Sequence, residues 1–190
     1  MTYNEIVAFH GHTCPGLAIG YRMARAAMEA LSAYRADDEE IVAIVENNSC
    51  GVDAVQCVTG CTFGKGNLIF HDYGKQVYTL YSRQTRAGVR AVFHGQGIPE
   101  GMREDKAAFA LWVREAPDRA ILSVEEVVVS EPERAKIHHS AACAFCGESV
   151  METRLQSVKG KPACIPCADK KQHYGKALCS NARQTITDGG

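Results

Sequence analysis

The chain has no apolar run approaching the roughly 18 residues that cross a membrane, and no basic-then-apolar leader opens it. Its first residues, Met1-Thr2-Tyr3-Asn4-Glu5, are polar and acidic, which argues against export. It lacks a Walker A sequence, internal repeats and low-complexity stretches. Strong charge of either sign is missing too: the net value is −1. Residues 137–190 hold seven Lys/Arg against four Asp/Glu, and residues 1–136 hold 14 against 18. A mildly basic end on a mildly acidic main part does not by itself imply nucleic acid, which is not expected as a partner. With 46% hydrophobic and 23% charged residues, the 190-residue chain reads as an ordinary globular protein with one good core and a small appendage.

What is plentiful is cysteine. Nine cysteines, an odd number, without a leader read as metal ligands or reactive thiols in a reducing cytoplasm rather than as disulfides. Cys143-Ala-Phe-Cys146 and Cys164-Ile-Pro-Cys167 are two Cys-x2-Cys knuckles separated by 17 residues. Four thiolates at tetrahedral corners suit Zn²⁺, and this spacing predicts a closed structural zinc ribbon. A closed site has no open position and does no chemistry, so an activity must lie elsewhere.

Coarse patterning gives an α+β order. Helices are expected over 15–34, 51–59 and 100–115, and strands over 41–46, 68–70, 76–81, 88–93 and 121–129. Ser130-Glu131-Pro132-Glu133-Arg134 breaks the pattern. Three parts follow: a domain over 1–132, the zinc ribbon over 137–175, and a polar tail over 176–190.

Candidate chemistry concentrates in two segments. In His10-Gly-His12-Thr-Cys14, an extended backbone would place alternate side chains on one side, at the mouth of a helix opened by Pro15. In the second segment Cys50 follows strand 41–46, and Cys57 and Cys61 are one helical turn apart. Cys57, flanked by valines, reads as packing. A metal shell of His12, Cys14, Cys50 and Cys61 is expected, with His10 nearby. The mixed shell suits zinc or iron better than magnesium or calcium, which prefer oxygen. Asp53 and Gln56 would brace a ligand from behind. Thr62-Phe63-Gly64-Lys65-Gly66-Asn67 resembles a small anion loop, placing Lys65 near the site, although an idle turn is the simpler reading.

Phe9-His10-Gly11-His12-Thr13-Cys14-Pro15-Gly16, with Gly20 and Arg22, resembles the opening motif of the FmdE family, named for the E component of formylmethanofuran dehydrogenase. Cys50-Gly51-Val52-Asp53-Ala54-Val55-Gln56 and Thr59 to Leu68 resemble its second motif. The resemblance implies a FwdE/GAPDH-like mixed sheet packed with helices, a homodimer, and a transition-metal site built from the His/Cys motifs. Cys143 to Cys167 resembles a TraR/DksA-type finger. The family's association is with molybdenum- or tungsten-dependent formylmethanofuran dehydrogenase and one-carbon metabolism, which implies a molybdo- or tungsto-enzyme partner. The residues leave open an enzyme, an accessory protein that handles metal or cofactor, and a zinc-ribbon module that contacts protein or nucleic acid.

Overall fold

The structure, a computed structural model, describes residues 1–169. The chain divides into two compact units, Met1–Ala135 and Lys136–Gly190. Cys179 and the expected tail over 176–190 lie outside the described residues.

The first unit is built on one five-stranded sheet. In chain order its strands are β1 (Ile41–Val45), β2 (Leu68–Phe70), β3 (Val77–Ser82), β4 (Gly88–Phe93) and β5 (Leu122–Val127). They lie in the order β2-β1-β3-β4-β5. β1 and β2 are parallel, while the other pairings are antiparallel, so the sheet is mixed. The helices are α1 (Tyr3–His10), α2 (Pro15–Ala30), α3 (Gly51–Thr59), α4 (Lys106–Glu115) and the short α5 (Asp118–Ile121). This is the α+β class that the patterning predicts.

Strand alternation decides which residues meet the helices. Ile41, Ala43 and Val45 of β1, Tyr78 and Leu80 of β3, and Val89 and Ala91 of β4 share one core with Leu17, Met23, Ala24 and Ala27 of α2. Each fully buried Leu, Met or Val side chain there stabilises the fold by about 1.5–3 kcal/mol relative to exposure. β-branched residues dominate β1, β-branched and aromatic residues make up most of β3, and Ala-rich, unbranched residues the long helix, so local preference and burial agree there.

Helix ends explain three differences from the sequence patterning. α1 starts at a capping box: Thr2 Oγ1 accepts from the Glu5 amide, and the Glu5 carboxylate accepts from the Thr2 amide at 2.6 Å. α2 stops at Ala30 rather than running to Tyr34, because Ser32 takes a left-handed φ of 49° and the Ala33 amide turns back to Met28 O. α4 begins at Lys106 rather than near Glu100. Gly101 at φ 75° breaks the earlier turn, and Asp105 caps the helix by accepting from the Ala107 and Ala108 amides.

Arg22 ties α2 to the end of α4. Its guanidinium donates to Val113 O, Arg114 O and Ala116 O at 2.6–2.7 Å, and pairs with Asp118. These are carbonyls that a helix C-terminus leaves without helical partners, and a guanidinium fork is suited to collect them.

The second unit has two small hairpins, β6 (Ser140–Ala142) with β7 (Ser149–Met151), and β8 (Leu155–Val158) with β9 (Lys161–Cys164). The short α6 (Ile165–Ala168) follows. Its buried centre is cysteine: Cys143, Cys146 and Cys164, with Cys167 and Val150 packed against them. Little apolar surface is available in such a unit, so a metal is expected to carry much of its folding free energy.

Candidate metal centres

The second unit brings Cys143, Cys146, Cys164 and Cys167 together, with their sulfurs all within 4.8 Å of one another. Within the first knuckle, backbone amides favour negative charge on one sulfur, that of Cys143. The amides of Cys164 and Phe145 point at Cys143 Sγ, at 3.3 and 3.5 Å. Burial would raise the Cys143 thiol, but the surrounding amides outweigh it and bring it down to about 6. Gly147 follows the first knuckle at φ 80°, a conformation that closes the turn and favours glycine. The four soft donors fit a closed structural zinc site.

The first unit carries a second cluster. His10, Cys14 and Cys50 place one nitrogen and two sulfurs within 4.8 Å of one another, each residue half-buried. His10 ends α1, and Gly11 then turns the chain at φ 95°. Cys14 is the N-cap of α2, accepting from the Leu17 amide at 3.4 Å. Cys50 stands at the N-terminus of α3. Three helix ends therefore meet at one point.

Glycine makes this convergence possible. A Cβ at Gly20 on α2 would lie 2.2–2.6 Å from the Gly51 backbone on α3. One turn earlier, a Cβ at Gly16 would lie 3.3 Å from Cys50 Cβ and 4.0 Å from Cys14 Sγ. Only bare backbone lets the two helices cross this closely, and the crossing carries the two thiols to each other.

The orientation of His10 is set from the other side. Its Nδ1 is 2.7 Å from Asp53 Oδ2, and its Nε2 is 4.0 Å from Cys14 Sγ. Donation of Nδ1–H to the carboxylate leaves the Nε2 lone pair facing the sulfurs, the arrangement of a carboxylate-braced metal ligand. Gln56 Nε2 reaches the other Asp53 oxygen at 3.4 Å and steadies it. Burial, and then the adjacent Cys14 thiol, push the Cys50 thiol upward. A cation between the sulfurs would reverse that tendency.

The donor set fits a transition metal. Zinc bonds of ~2.0–2.3 Å hold tetrahedral ligand atoms roughly 3.5 Å apart, so the His10–Cys14 separation needs only a small contraction.

Two of the four expected ligands, His12 and Cys61, lie outside the grouped donor atoms. His12 is exposed and outside the cluster, its ring tilted against that of His10 with centroids 4.6 Å apart. The segment is a helix end and a left-handed turn rather than a strand, so alternate residues do not share a side. Cys61 is also elsewhere. It is fully buried and its thiol donates to Ile41 O at 3.2 Å, with burial pushing it up to about 11. It stays a neutral thiol packed under β1. His10, expected only nearby, takes the inner place; the Thr2-x-x-Glu5 signature is the signal that α1 exists and brings His10 to its end. Cys57 is buried, as its valine neighbours indicate.

Lys65 does not reach the cluster. Its Nζ lies 3.2 and 3.3 Å from Asp37 O and Asp38 O. The loop around it is held by Asn67, fully buried, which donates to Asp38 O and Ile41 O at 2.9 Å and accepts from the Thr62 amide at 3.0 Å. The glycine-rich segment is thus a clamp on the turn before β1, not an anion loop beside the His10, Cys14 and Cys50 cluster.

Residues 9–135 match the family described as "FmdE, Molybdenum formylmethanofuran dehydrogenase operon". The chain belongs to the FmdE family. Residues 138–173 match the prokaryotic DksA/TraR C4-type zinc finger, so this FmdE-family chain carries a four-cysteine finger after its main domain. The solved structure of a tungsten formylmethanofuran dehydrogenase FmdE-like protein from Syntrophus aciditrophicus is similar at a TM-score of 0.70 and 28% identity. That similarity covers 91% of this chain and 95% of the other. A protein of Archaeoglobus fulgidus described as a probable S-adenosyl-L-methionine-binding protein is 35% identical over 189 residues. The alignment takes in 84% of this chain and 50% of that protein, so the chain spans about half the length of the curated relative it matches. No helix among the described residues is long and apolar enough to cross a membrane.

Proposed function

We propose that the FmdE domain holds one transition-metal ion, zinc or iron, through His10, Cys14 and Cys50, in addition to the zinc of the finger. The observation that carries this reading is the convergence of one imidazole and two thiols within 4.8 Å, with Asp53 braced against the far side of the imidazole. Imidazole and thiolate donors favour zinc or iron over magnesium or calcium. Three protein ligands leave a position for an exogenous group, as open sites do and closed structural ones do not. A metal so held supplies Lewis acidity, or can itself be passed on.

On this reading the protein is a metal- or cofactor-handling accessory of molybdenum- or tungsten-dependent formylmethanofuran dehydrogenase or of one-carbon metabolism, working as a homodimer in the cytoplasm. Support comes from the operon named in the family description and from the name of the Syntrophus neighbour. The test is metal content per chain by elemental analysis after anaerobic reconstitution with zinc or ferrous iron. Two equivalents are expected for the native chain, and one for Cys14→Ser and for Cys50→Ser with the fold retained by circular dichroism. A native chain that binds a single equivalent, lost only when a finger cysteine is replaced, would sink the proposal.

A further inference from the structure

Cys14 and Cys50 are neighbouring thiols that solvent can reach. Both residues are half-buried, and their sulfurs lie within 4.8 Å of each other. Gly16 keeps the gap free of a side chain of its own: a Cβ there would lie 3.3 Å from Cys50 Cβ and 4.0 Å from Cys14 Sγ. The other cysteines of the first unit are placed differently. Cys57 and Cys61 are buried, and the Cys61 thiol donates to Ile41 O at 3.2 Å.

The two sulfurs of the pair are not equivalent. Cys14 caps α2, and its sulfur accepts from the Leu17 amide at 3.4 Å, whereas Cys50 makes no side-chain cap bond at the start of α3. His10 Nε2 lies 4.0 Å from Cys14 Sγ, and Asp53 Oδ2 lies 2.7 Å from His10 Nδ1. A thiol beside an imidazole that a carboxylate orients is the arrangement of a sulfur nucleophile. Cys14 is therefore the attacking sulfur, and Cys50 stands where a second thiol can resolve the product.

We propose that in the metal-free chain Cys14 and Cys50 form a reversible disulfide on reaction with a hydroperoxide, which makes the pair a redox site as well as a pair of ligands. The disulfide stands on the thiol geometry, and its consequence for metal rests on the reading above. The Cys14 sulfur attacks the terminal peroxide oxygen. An S–O bond forms, the O–O bond breaks, and the thiol proton leaves with the departing oxygen, as water when the oxidant is hydrogen peroxide. Sulfur is thereby oxidised to a sulfenic acid and the peroxide reduced. The Cys50 sulfur then attacks that of Cys14, the S–S bond forms, the S–O bond breaks, and the hydroxyl takes the Cys50 proton and leaves as water. A disulfide has no thiolate to offer a metal, so the oxidised chain keeps only His10 of the three ligands. Bound metal and disulfide exclude each other.

The experiment uses the full chain, reduced and given one equivalent of zinc for the finger, then exposed to stoichiometric hydrogen peroxide. After the remaining thiols are alkylated, peptide mapping should show Cys14 linked to Cys50, with two hydrogens lost from the intact mass and restored by dithiothreitol. The oxidised chain should fail to take up a second zinc, and should regain it on reduction. Cys50→Ser should stop at a sulfenic acid on Cys14 that dimedone traps, while Cys14→Ser gives no trapped product at Cys50. Peroxide that leaves both thiols free, oxidises them without linking them, or links either to another cysteine would overturn the proposal, whatever the zinc content. A linked chain that still binds the second zinc would overturn the exclusion of metal by disulfide. If the link forms but the reduced chain never binds a second zinc, the redox site stands and the metal reading falls.

Discussion

Gly20 and Gly51 meet backbone to backbone, so tightly that one added carbon at Gly20 would sit 2.2 Å from the Gly51 carbonyl oxygen. The contact involves no chemistry, yet it sets the distance between the two thiols of the FmdE domain. Gly20→Ala must push α2 off α3, because backbone atoms have nowhere to rotate. Overpacking of this kind costs about 1–3 kcal/mol. Denaturant unfolding should show that loss, and metal affinity of the domain should drop with it, although no ligand has been touched.

The His10–Asp53 pair yields a second expectation. Asp53→Asn keeps the size of the side chain but removes the charge that holds Nδ1–H, and metal affinity should weaken by about 10- to 100-fold. His10→Ala should abolish binding at the FmdE site, whereas His12→Ala should change it little. Titration calorimetry on the three variants separates the outcomes. A large loss for His12→Ala with none for His10→Ala would reverse the ligand assignment.

For the finger, Cys146→Ala should release about one zinc per chain and unfold the second unit while the first keeps its structure. Metal binding supplies about 10 kcal/mol or more of free energy to modules of this size, which have little apolar core to fall back on. Amide exchange or NMR signals of residues 1–135 should be unchanged. Their collapse would show that the two units do not fold separately.

Cys61 predicts a pH dependence. Its folded-state value of about 11 is above the ordinary thiol value of 9.0 because burial opposes the thiolate. A group whose folded value is raised contributes stability that is fully present below the unfolded value and lost as pH climbs through the folded one. Between about pH 9 and 11 native stability should therefore fall, by about 2–3 kcal/mol from this group. Cys61→Ala should flatten that part of the profile even if it lowers the plateau. An unaltered slope in the variant would exclude Cys61 as the cause.

Much of this protein is legible in its residue order, because the relevant physics is local. Two Cys-x2-Cys knuckles define a closed tetrathiolate wherever they fold, and the finger's four sulfurs do converge. Strands 41–45, 68–70 and 88–93 follow from short apolar runs of β-branched, aliphatic and aromatic residues, and the helix from Pro15 follows from Ala-rich periodicity. Thr2 and Glu5 even encode the start of α1, through a capping signature.

Tertiary structure decided the rest, and the FmdE-domain cluster shows why. Whether His10 or His12 faces Cys14 depends on one left-handed turn at Gly11, which converts an expected strand register into a helix end. Cys50 and Cys61 look equivalent as residues. Only the packing of α2 on α3 through Gly16, Gly20 and Gly51 brings the first to the cluster, while the depth of the core makes the second a neutral thiol. The segment of Lys65 and Asn67, which resembles an anion loop but reads more simply as an idle turn, becomes a clamp once Asp38 and Ile41 are brought against it. A pattern of residue types names the chemistry available, but which atoms share a point in space is fixed by close backbone contact between distant segments, and that is a property of the fold.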